Sequence, residues 1–216
     1  MAAQYEALFT PFKIGNCEIR NRIIIPAMEG TNIVDNMMGP KYNGKAYDYY
    51  IERAKNNVGL FIPGMIPVYS MMMGKWLHKS PKVFQQAKPL IDDIHANGAK
   101  IFFQLGAGFA GRNYTLPAQM LNVASKPWLK KLTNPMLHLN EMMVAPDDGL
   151  PMVWAPQFST RALTREEIHA YVEGYARSAK LCKDIGVDGV EVHAVHEGYL
   201  MDQFTTCLLY TSDAAD

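Results

Sequence analysis

Four short, mostly hydrophobic runs constrain the fold of this chain most strongly. Their apolar residues stand at consecutive positions, a pattern typical of strands that are buried on both faces, as in a parallel sheet. Parallel strands need a crossover connection between them, and that connection is usually a helix. The runs cover residues 22–25, 59–62, 100–105 and 189–193.

Helical patterns separate these runs. Apolar residues recur at helical spacing over residues 41–57, 81–97 and 164–186, and these patterns predict three helices. The third helix opens with a capping box, in which Thr164 and Glu167 satisfy each other's backbone N–H groups. Each helix therefore follows one apolar run and leads towards the next, as a crossover connection does.

The order of strands and helices predicts an α/β protein with right-handed parallel crossovers. An open doubly wound sheet and a closed barrel both accommodate this order. No Gly-x-Gly-x-x-Gly motif follows the first run, which weakens the case for a dinucleotide-binding sheet. A closed (β/α)8 barrel needs eight units in about 250 residues, so the 216 residues with four units predict an incomplete TIM barrel.

Two further segments complete the expected organisation. A β-hairpin is predicted within residues 8–19, with arms at 12–14 and 17–19, because Gly15 and Asn16 suit a tight two-residue turn. Residues 106–163 are rich in proline and asparagine and show weak periodicity. Loops of this length are usually functional, so we expect this segment to cover a site.

Composition excludes several classes of partner. The formal net charge is zero, which gives no indication of nucleic acid or an anionic membrane as partner. No signal peptide and no apolar stretch of about 20 residues is visible, so we expect a cytoplasmic protein with no membrane span. Three scattered cysteines form neither a disulfide framework nor a zinc motif, and they fit reduced thiols.

The richest group of chemically active side chains follows the fourth run. In parallel α/β folds, function gathers where strands end, and there the sequence places His193, His196 and Tyr199. Imidazole N–H groups stabilise charge on an oxygen, and a phenol delivers a proton. A zinc site of a barrel hydrolase or lyase is the alternative, because His193 and His196 have His-x-x-His spacing, but they do not form HExxH.

Three residues at the ends of other runs are candidates for cofactor binding. The Gln104 amide both donates and accepts, which suits the imide edge of a flavin or a pyrimidine, although it equally suits neighbouring backbone. Glu29 is either a site carboxylate or a solvated loop residue. Gly64 either permits close approach of a cofactor or ends a strand.

Five segments closely resemble the Old Yellow Enzyme family, in the order in which that family carries them. This family consists of FMN-dependent (β/α)8 enzymes and includes NADH:flavin oxidoreductases, 2-enoate reductases and 2,4-dienoyl-CoA reductases. The segments are LFTPFKIG (8–15), NRIIIPAM (21–28), GAKIFFQL (98–105), LTREEI (163–168) and GVDGVEVH (186–193).

The resemblance implies roles for the candidate residues. Gln104 would bind the pyrimidine edge of FMN, His193 and His196 would hold a substrate carbonyl oxygen, and Tyr199 would protonate the α-carbon. NAD(P)H would reduce FMN, and the substrate would be a small unsaturated carbonyl compound, an enone, enoate or dienoyl thioester. Further residues would surround the flavin: Pro26, Ala27, Met28, Glu29 and Gly64.

The resemblance leaves three properties of a full-length parent open: an iron–sulfur cluster (4Fe-4S), FAD in a C-terminal part, and homo-oligomerisation. Three departures from the family pattern stand out. Glu29 stands where many members carry Thr, Ser or Cys beside the flavin carbonyl, which would change the flavin potential. Gly106–Arg112 is longer than the usual turn and lacks its histidine, and Tyr199 follows His196 by three positions where many members have two.

The last ten residues, 207–216, do not resemble the family. They resemble a translated sequencing adapter, and an ordinary disordered tail is the alternative. We therefore expect residues 1–206 to be the N-terminal part of an FMN-binding barrel and residues 207–216 to be non-native. On this hypothesis the chain is a truncated fragment and is inactive by itself.

Overall fold

A parallel sheet with helices on one face forms the centre of the protein. The computed structural model describes residues 2–28, 30–36, 38–70, 73–108, 110–112, 122–123, 125–196 and 198–205. The strands are β1 (Phe12–Ile14), β2 (Cys17–Ile19), β3 (Ile24–Ile25), β4 (Val34–Asp35), β5 (Lys41–Tyr42), β6 (Leu60–Phe61), β7 (Ile66–Pro67), β8 (Tyr69–Ser70), β9 (Lys75–Trp76), β10 (Lys100–Gly106), β11 (Val144–Ala145), β12 (Arg161–Ala162) and β13 (Gly189–Val192). The α-helices are α1 (Tyr47–Lys55), α2 (Pro81–Ala96), α3 (Pro127–Leu137), α4 (Leu139–Met142), α5 (Arg165–Asp184) and α6 (Leu200–Gln203).

The four predicted strands pair with one another in parallel. Their order across the sheet is β13-β10-β6-β3, and β7 also pairs with β10, next to the end of β6. Strands β10 and β6 are therefore the two inner strands of this order, and β10 makes the longest pairing, with β13 along one edge and with β6 and β7 along the other. Its register with β13 places Gln104 opposite Glu191. The alternation of parallel strands and helices predicted from the sequence is confirmed.

The two faces of the sheet bury different partners, because side chains along a strand alternate between faces. Ile101, Phe103 and Leu105 belong to the main core, which they share with helices α1, α2 and α5. Phe102 points the other way and joins a smaller cluster that includes Ile19 of the hairpin. The hairpin β1–β2, predicted from the Gly15 turn and confirmed by the structure, thus covers the end of the sheet at which the parallel strands begin.

Two sequence predictions of local structure were wrong. The first helix begins at Tyr47 and not at residue 41, because Lys41 pairs with Asp35 between β5 and β4 and Asn43 caps a 3-10 turn before the helix. The segment 106–163 is not structureless: it contains α3, α4 and the short β11–β12 pair. Pro135 lies within α3 and weakens the propensity signal there.

Helix α5 begins as the capping box predicts. The Thr164 side chain accepts from the Glu167 N–H at 3.2 Å, and the Glu167 carboxylate accepts from the Thr164 N–H at 2.9 Å. Arg161 also donates to both carboxylate oxygens of Glu167, at 2.8 and 2.7 Å. This fork joins the end of the 106–163 segment to the start of the helix that leads into β13.

Two general expectations can be compared with the described part of the chain. None of its helices combines the length and the apolar character needed to cross a bilayer. Cys17 and Cys182 are both free thiols. Cys207 and the rest of the segment 207–216 lie outside the described residues.

Asp188 connects the beginnings of β10 and β13 with the end of α2. Its carboxylate accepts from Lys100 Nζ at 2.8 Å and from the Ile101 N–H at 3.0 Å, and it lies 2.7 Å from His95 Nε2. Burial opposes ionisation of this group, but the hydrogen bonds from Lys100, His95 and Ile101 prevail, and the pKa of Asp188 is lowered. The ionised carboxylate therefore stabilises the folded state.

We expect Asp188→Asn to reduce stability in a pH-dependent way. Because the folded-state pKa is depressed, the stabilisation is present above the ordinary pKa of 3.8 and disappears as pH falls through the folded value. The gap in unfolding free energy between wild type and variant should be large at pH 7 and shrink on acidification, as measured by urea denaturation. Asp184→Asn, which removes an exposed pair with Lys180, is the control and should change little. A gap independent of pH would contradict this role.

Candidate functional site

A cleft of about 390 Å³ opens where the parallel strands end. Volumes of this size are typical of sites for small molecules or cofactors. Segments that follow β3, β6 and β13 contribute to it together with Gln104 near the end of β10, as expected for the carboxyl ends of parallel strands. Its lining residues are Ala27, Met28, Asn32, Asp35, Gly64, Met65, Pro67, Gln104, His193, Val195, His196 and Tyr199.

Three rings form a compact group on one side of the cleft. The ring centroids of His193 and His196 are 5.4 Å apart, and those of His193 and Tyr199 are 5.6 Å apart. His196 and Tyr199 stack with centroids 4.9 Å apart and an interplanar angle of 29°. The structure therefore brings together the three residues that the sequence placed after the fourth strand.

His193 is favoured in its neutral form. Burial lowers the pKa of this imidazole, and the neighbouring His196 lowers it further. The backbone N–H of His193 donates to Leu105 O at 2.8 Å, which fixes the start of the loop against β10. A neutral imidazole at this position has one ring N–H and donates it without carrying a net charge.

The backbone around Tyr199 is tied to the start of the 106–163 segment. Tyr199 forms an antiparallel bridge with Gly111, and the Arg112 N–H donates to Gly198 O at 2.8 Å. The Gln203 side chain also donates to Gly198 O at 2.8 Å, from a residue that is only 2% exposed. The position of the phenol therefore depends on a segment that comes almost ninety residues earlier in the chain.

Gly111 permits this contact. A Cβ on it would lie 2.6 Å from Gly198 O, 2.6 Å from Gln203 Nε2 and 2.7 Å from the backbone nitrogen of Leu200. Its φ of +125° is also unfavourable for residues with a side chain. A glycine is therefore required where the two segments meet.

The opposite side of the cleft is formed by small residues and amides. A Cβ on Gly64 would lie 2.4 Å from Met28 O and 2.8 Å from Asn32 Oδ1, so this glycine lets the segment after β3 pack closely against the end of β6. The Asn32 oxygen is buried and has no hydrogen-bond partner in the described part of the chain. Gln104 also lines the cleft, and its Nε2 donates to Glu191 Oε1 at 2.6 Å.

The predicted cofactor residues have different outcomes. Ala27, Met28, Gly64 and Gln104 line the same cleft as the three rings. Pro26 does not line it, and Glu29 lies outside the described residues. Their predicted contact with a flavin stays a prediction.

Sequence reasoning missed several lining residues. Met65 and Pro67 were missed because the chain pairs with β10 again after Gly64, through β7, whereas the sequence indicated that the strand ended there. Asn32 and Asp35 lie in the segment after β3. The rule that sites form where strands end would have included them if it had been applied beyond residue 29. Glu191 does not line the cleft, but its spacing carried a signal: it comes two residues before His193, so its side chain points to the same side of the chain as that of His193.

The alternative of a metal site relied on His193 and His196. In the part of the chain that the structure describes, no three His, Cys, Asp or Glu side chains are grouped so that they could hold a metal ion. The geometry of the cleft therefore provides two imidazoles and a phenol without a completed ligand set.

Comparison with known proteins decides the family. The profile of the NADH:flavin oxidoreductase / NADH oxidase family matches residues 7–214. The chain belongs to this family. The match includes most of the segment 207–216, and the resemblance to the Old Yellow Enzyme family stated from the sequence is confirmed.

Curated relatives share much of the chain but extend well beyond it. The cinnamate reductase of Clostridium sporogenes is 36% identical over 211 residues, which are 94% of this chain and 28% of that protein. The NADP-dependent oxidoreductase lnbE of Aspergillus flavus is 31% identical over 93% of this chain and 48% of its own length. The chain thus spans between about a quarter and a half of the relatives it matches.

Solved structures agree on the fold. The Old Yellow Enzyme homologue of Zymomonas mobilis matches with a TM-score of 0.62 and 24% identity, over 92% of this chain and 51% of its own. Old Yellow Enzyme from Pichia sp. matches with a TM-score of 0.61 over 92% of this chain and 48% of its own. The fold is an incomplete (β/α)8 barrel of about four units with an N-terminal hairpin, which confirms the predicted fold class.

We expect Gly111→Ala to displace Tyr199 and to destabilise the protein by about 1–3 kcal/mol, because it combines backbone strain with a steric clash. The ring-proton NMR shifts of His196, which stacks on Tyr199, should change. Gly149→Ala is a matched control, because Gly149 also has positive φ (+75°) but nothing lies within 4 Å of its Cβ position. The control should leave the His196 shifts unchanged, and unchanged shifts in Gly111→Ala would contradict the proposed contact.

We expect His196→Gln to raise the pKa of His193, because the variant removes the neighbouring imidazole that lowers this pKa while burial remains. An NMR titration of the His193 ring protons measures this. His95→Gln, at the opposite end of the sheet beside Asp188, is the control and should not alter the His193 titration. A His193 midpoint that is the same in wild type and His196→Gln would show that the two rings do not interact.

Proposed function

We propose that this chain supplies the flavin-contacting and carbonyl-contacting half of an FMN-dependent oxidoreductase, which reduces an activated C=C bond with NAD(P)H. The observation that carries the proposal is the convergence of His193, His196 and Tyr199 on the cleft that also contains Gln104. Membership of the NADH:flavin oxidoreductase family supports it.

The cleft fits a planar heteroaromatic ring whose edge carries both N–H and C=O groups. The Gln104 amide has an acceptor and donors side by side, and the Asn32 oxygen is a buried acceptor without a partner among the described residues. Gly64 has no side chain that would project into the space beside Met28. FMN has such an edge at its pyrimidine ring, and Ala27, Met28 and Gly64 would lie against its ring system.

The three rings would handle the carbonyl end of the substrate. His193 and His196 would donate N–H hydrogen bonds to the carbonyl oxygen, and the lowered pKa of His193 keeps it a neutral donor near pH 7. Such donors stabilise the charge that develops on oxygen as the double bond is reduced. The Tyr199 hydroxyl would deliver a proton to the carbon next to the carbonyl. Bound FMN would supply the hydride, which it obtains from NAD(P)H.

The names of relatives support a substrate in which the alkene is conjugated to a carbonyl group. Cinnamate reductase and putative 12-oxophytodienoate reductase 3 of Oryza sativa (29% identical over 94% of this chain and 48% of its own length) are both named for such compounds. An enone, an enoate or a dienoyl thioester is therefore the proposed substrate class. The iron–sulfur cluster and FAD are proposed only for parts of a longer parent protein that lie outside this chain.

The proposal can be tested with the longest gene product that contains this chain. It should bind FMN, oxidise NADH or NADPH anaerobically, and reduce 2-cyclohexenone, cinnamaldehyde or cinnamate. We expect turnover from this longer protein and not from the 216-residue chain alone, because the described sheet leaves one edge of β3 and one edge of β13 without a partner strand. A longer protein that binds no flavin would refute the proposal.

Tyr199→Phe separates proton delivery from reduction of the flavin. Reduction by NAD(P)H should proceed at the wild-type rate, whereas the rate of alkene reduction should fall by about 10²–10⁴, the range for loss of a general acid. Stopped-flow measurement of the two half-reactions checks this. Tyr5→Phe, at an exposed tyrosine outside the cleft, is the matched control. Equal alkene reduction by Tyr199→Phe and wild type would remove Tyr199 from the mechanism.

A further inference from the structure

We propose that Glu191 is a positioning residue that holds the Gln104 amide in one orientation, with its nitrogen towards Glu191 and its oxygen on the side of the cleft. The consequence for the bound ligand rests on the function proposed above, since it concerns the edge of the flavin that would face Gln104. The orientation itself does not depend on that function.

The register of the sheet places the two side chains next to each other. Gln104 and Glu191 are directly paired residues of β10 and β13, and paired residues of neighbouring strands point to the same face. The preceding pair on the same face, two positions earlier, is Phe102 and Gly189, where a Cβ on the glycine would lie 2.8 Å from the Phe102 ring. Glu191 therefore lies on the face of the sheet that carries Phe102 and points away from the helices, which we call the inner face. This face continues to His193 two residues later.

The hydrogen bond between them is short and has only one chemically consistent direction. Gln104 Nε2 lies 2.6 Å from Glu191 Oε1. A carboxylate only accepts hydrogen bonds, so the amide must present its nitrogen to Glu191. Hydrogen bonds to a charged acceptor are shorter and stronger than neutral ones, and a flipped amide would place two oxygens against each other. The Gln104 oxygen and its second N–H are then left for other partners.

Glu191 has no other role in the proposed chemistry. It is not among the residues that line the cleft, whereas Gln104 is. Its carboxylate is partly buried on the sheet, behind the amide that it holds. A ligand with an N–H beside a C=O would meet an acceptor and a donor in a fixed order, and a ligand with the reverse order would be rejected. Glu191 would thus determine which way round the edge of the flavin binds.

The orientation can be measured in the 216-residue chain without any cofactor. The side-chain amide protons of Gln104, assigned by their loss in Gln104→Glu, should exchange with water at least tenfold more slowly than those of the exposed Gln86. One of the two should also shift downfield. Glu191→Leu should abolish both effects, and Glu52→Gln, at an exposed glutamate, should preserve them.

The wild-type chain is sufficient to overturn the inference even if Glu191→Leu does not fold. Gln104 protons that exchange as fast as those of Gln86 would show that no such bond exists. Gln104 signals that are the same in folded Glu191→Leu and in wild type would show that Glu191 does not orient the amide.

FMN binding tests the consequence for the ligand. Glu191→Gln keeps the size of the side chain but both donates and accepts, so it no longer imposes one amide orientation. Fluorescence titration of the longer gene product should show that FMN binds about tenfold more weakly to Glu191→Gln than to wild type. This is the loss expected for one mismatched hydrogen bond. Glu52→Gln should bind like wild type.

The two proposals fail in different ways. If Gln104 is protected as expected and FMN binds neither this chain nor the longer gene product, the flavin function is wrong and the positioning role of Glu191 stands. If FMN binds and Glu191→Gln binds it as tightly as wild type, the proposed consequence for the ligand is wrong while the flavin function stands.

Discussion

The register of strand β10 with its neighbours determines the rest of this structure. Because β10 pairs on both edges, it fixes the height of β6 and β13 along the sheet, and with it the places where their loops begin. A shift of one residue would turn Gln104 towards the helices and expose Phe103, which is fully buried, to the inner face. The register is held at its lower end by Asp188, whose carboxylate binds the Ile101 N–H and the Lys100 side chain.

Much of the fold was predictable from the sequence because the constraints there are local. Consecutive apolar residues indicated the buried strands, the Gly15 turn indicated the hairpin, and Thr164 with Glu167 indicated the first turn of α5. The site was predictable for a related reason: parallel strands carry their loops at one end, so His193 and Gln104 were expected to meet. The stacking of His196 on Tyr199 was not predicted, because a three-residue separation in a loop does not determine how two rings are oriented.

The parts that were not predictable depend on contacts between distant segments. The start of α1 was misplaced because Lys41 pairs with Asp35, and no helical pattern reveals such a pairing in advance. The Gly111–Tyr199 bridge joins two segments almost ninety residues apart. A single glycine in a long segment does not indicate which residue it will pair with. The Glu191–Gln104 bond needs the register, which a sequence by itself leaves undetermined.

The hairpin β1–β2 has a consequence for how small molecules reach and leave the site. By packing Ile19 against Leu60 and Phe102, it seals the inner face of the sheet at the end where the strands begin. On this half of the barrel, molecules would then enter and leave by the same opening, above His193 and Gln104. For the function proposed above, a reductant and an acceptor that use the same opening would bind one after the other. A hairpin that closes the other end of the sheet would therefore make two compounds that share one site bind in sequence.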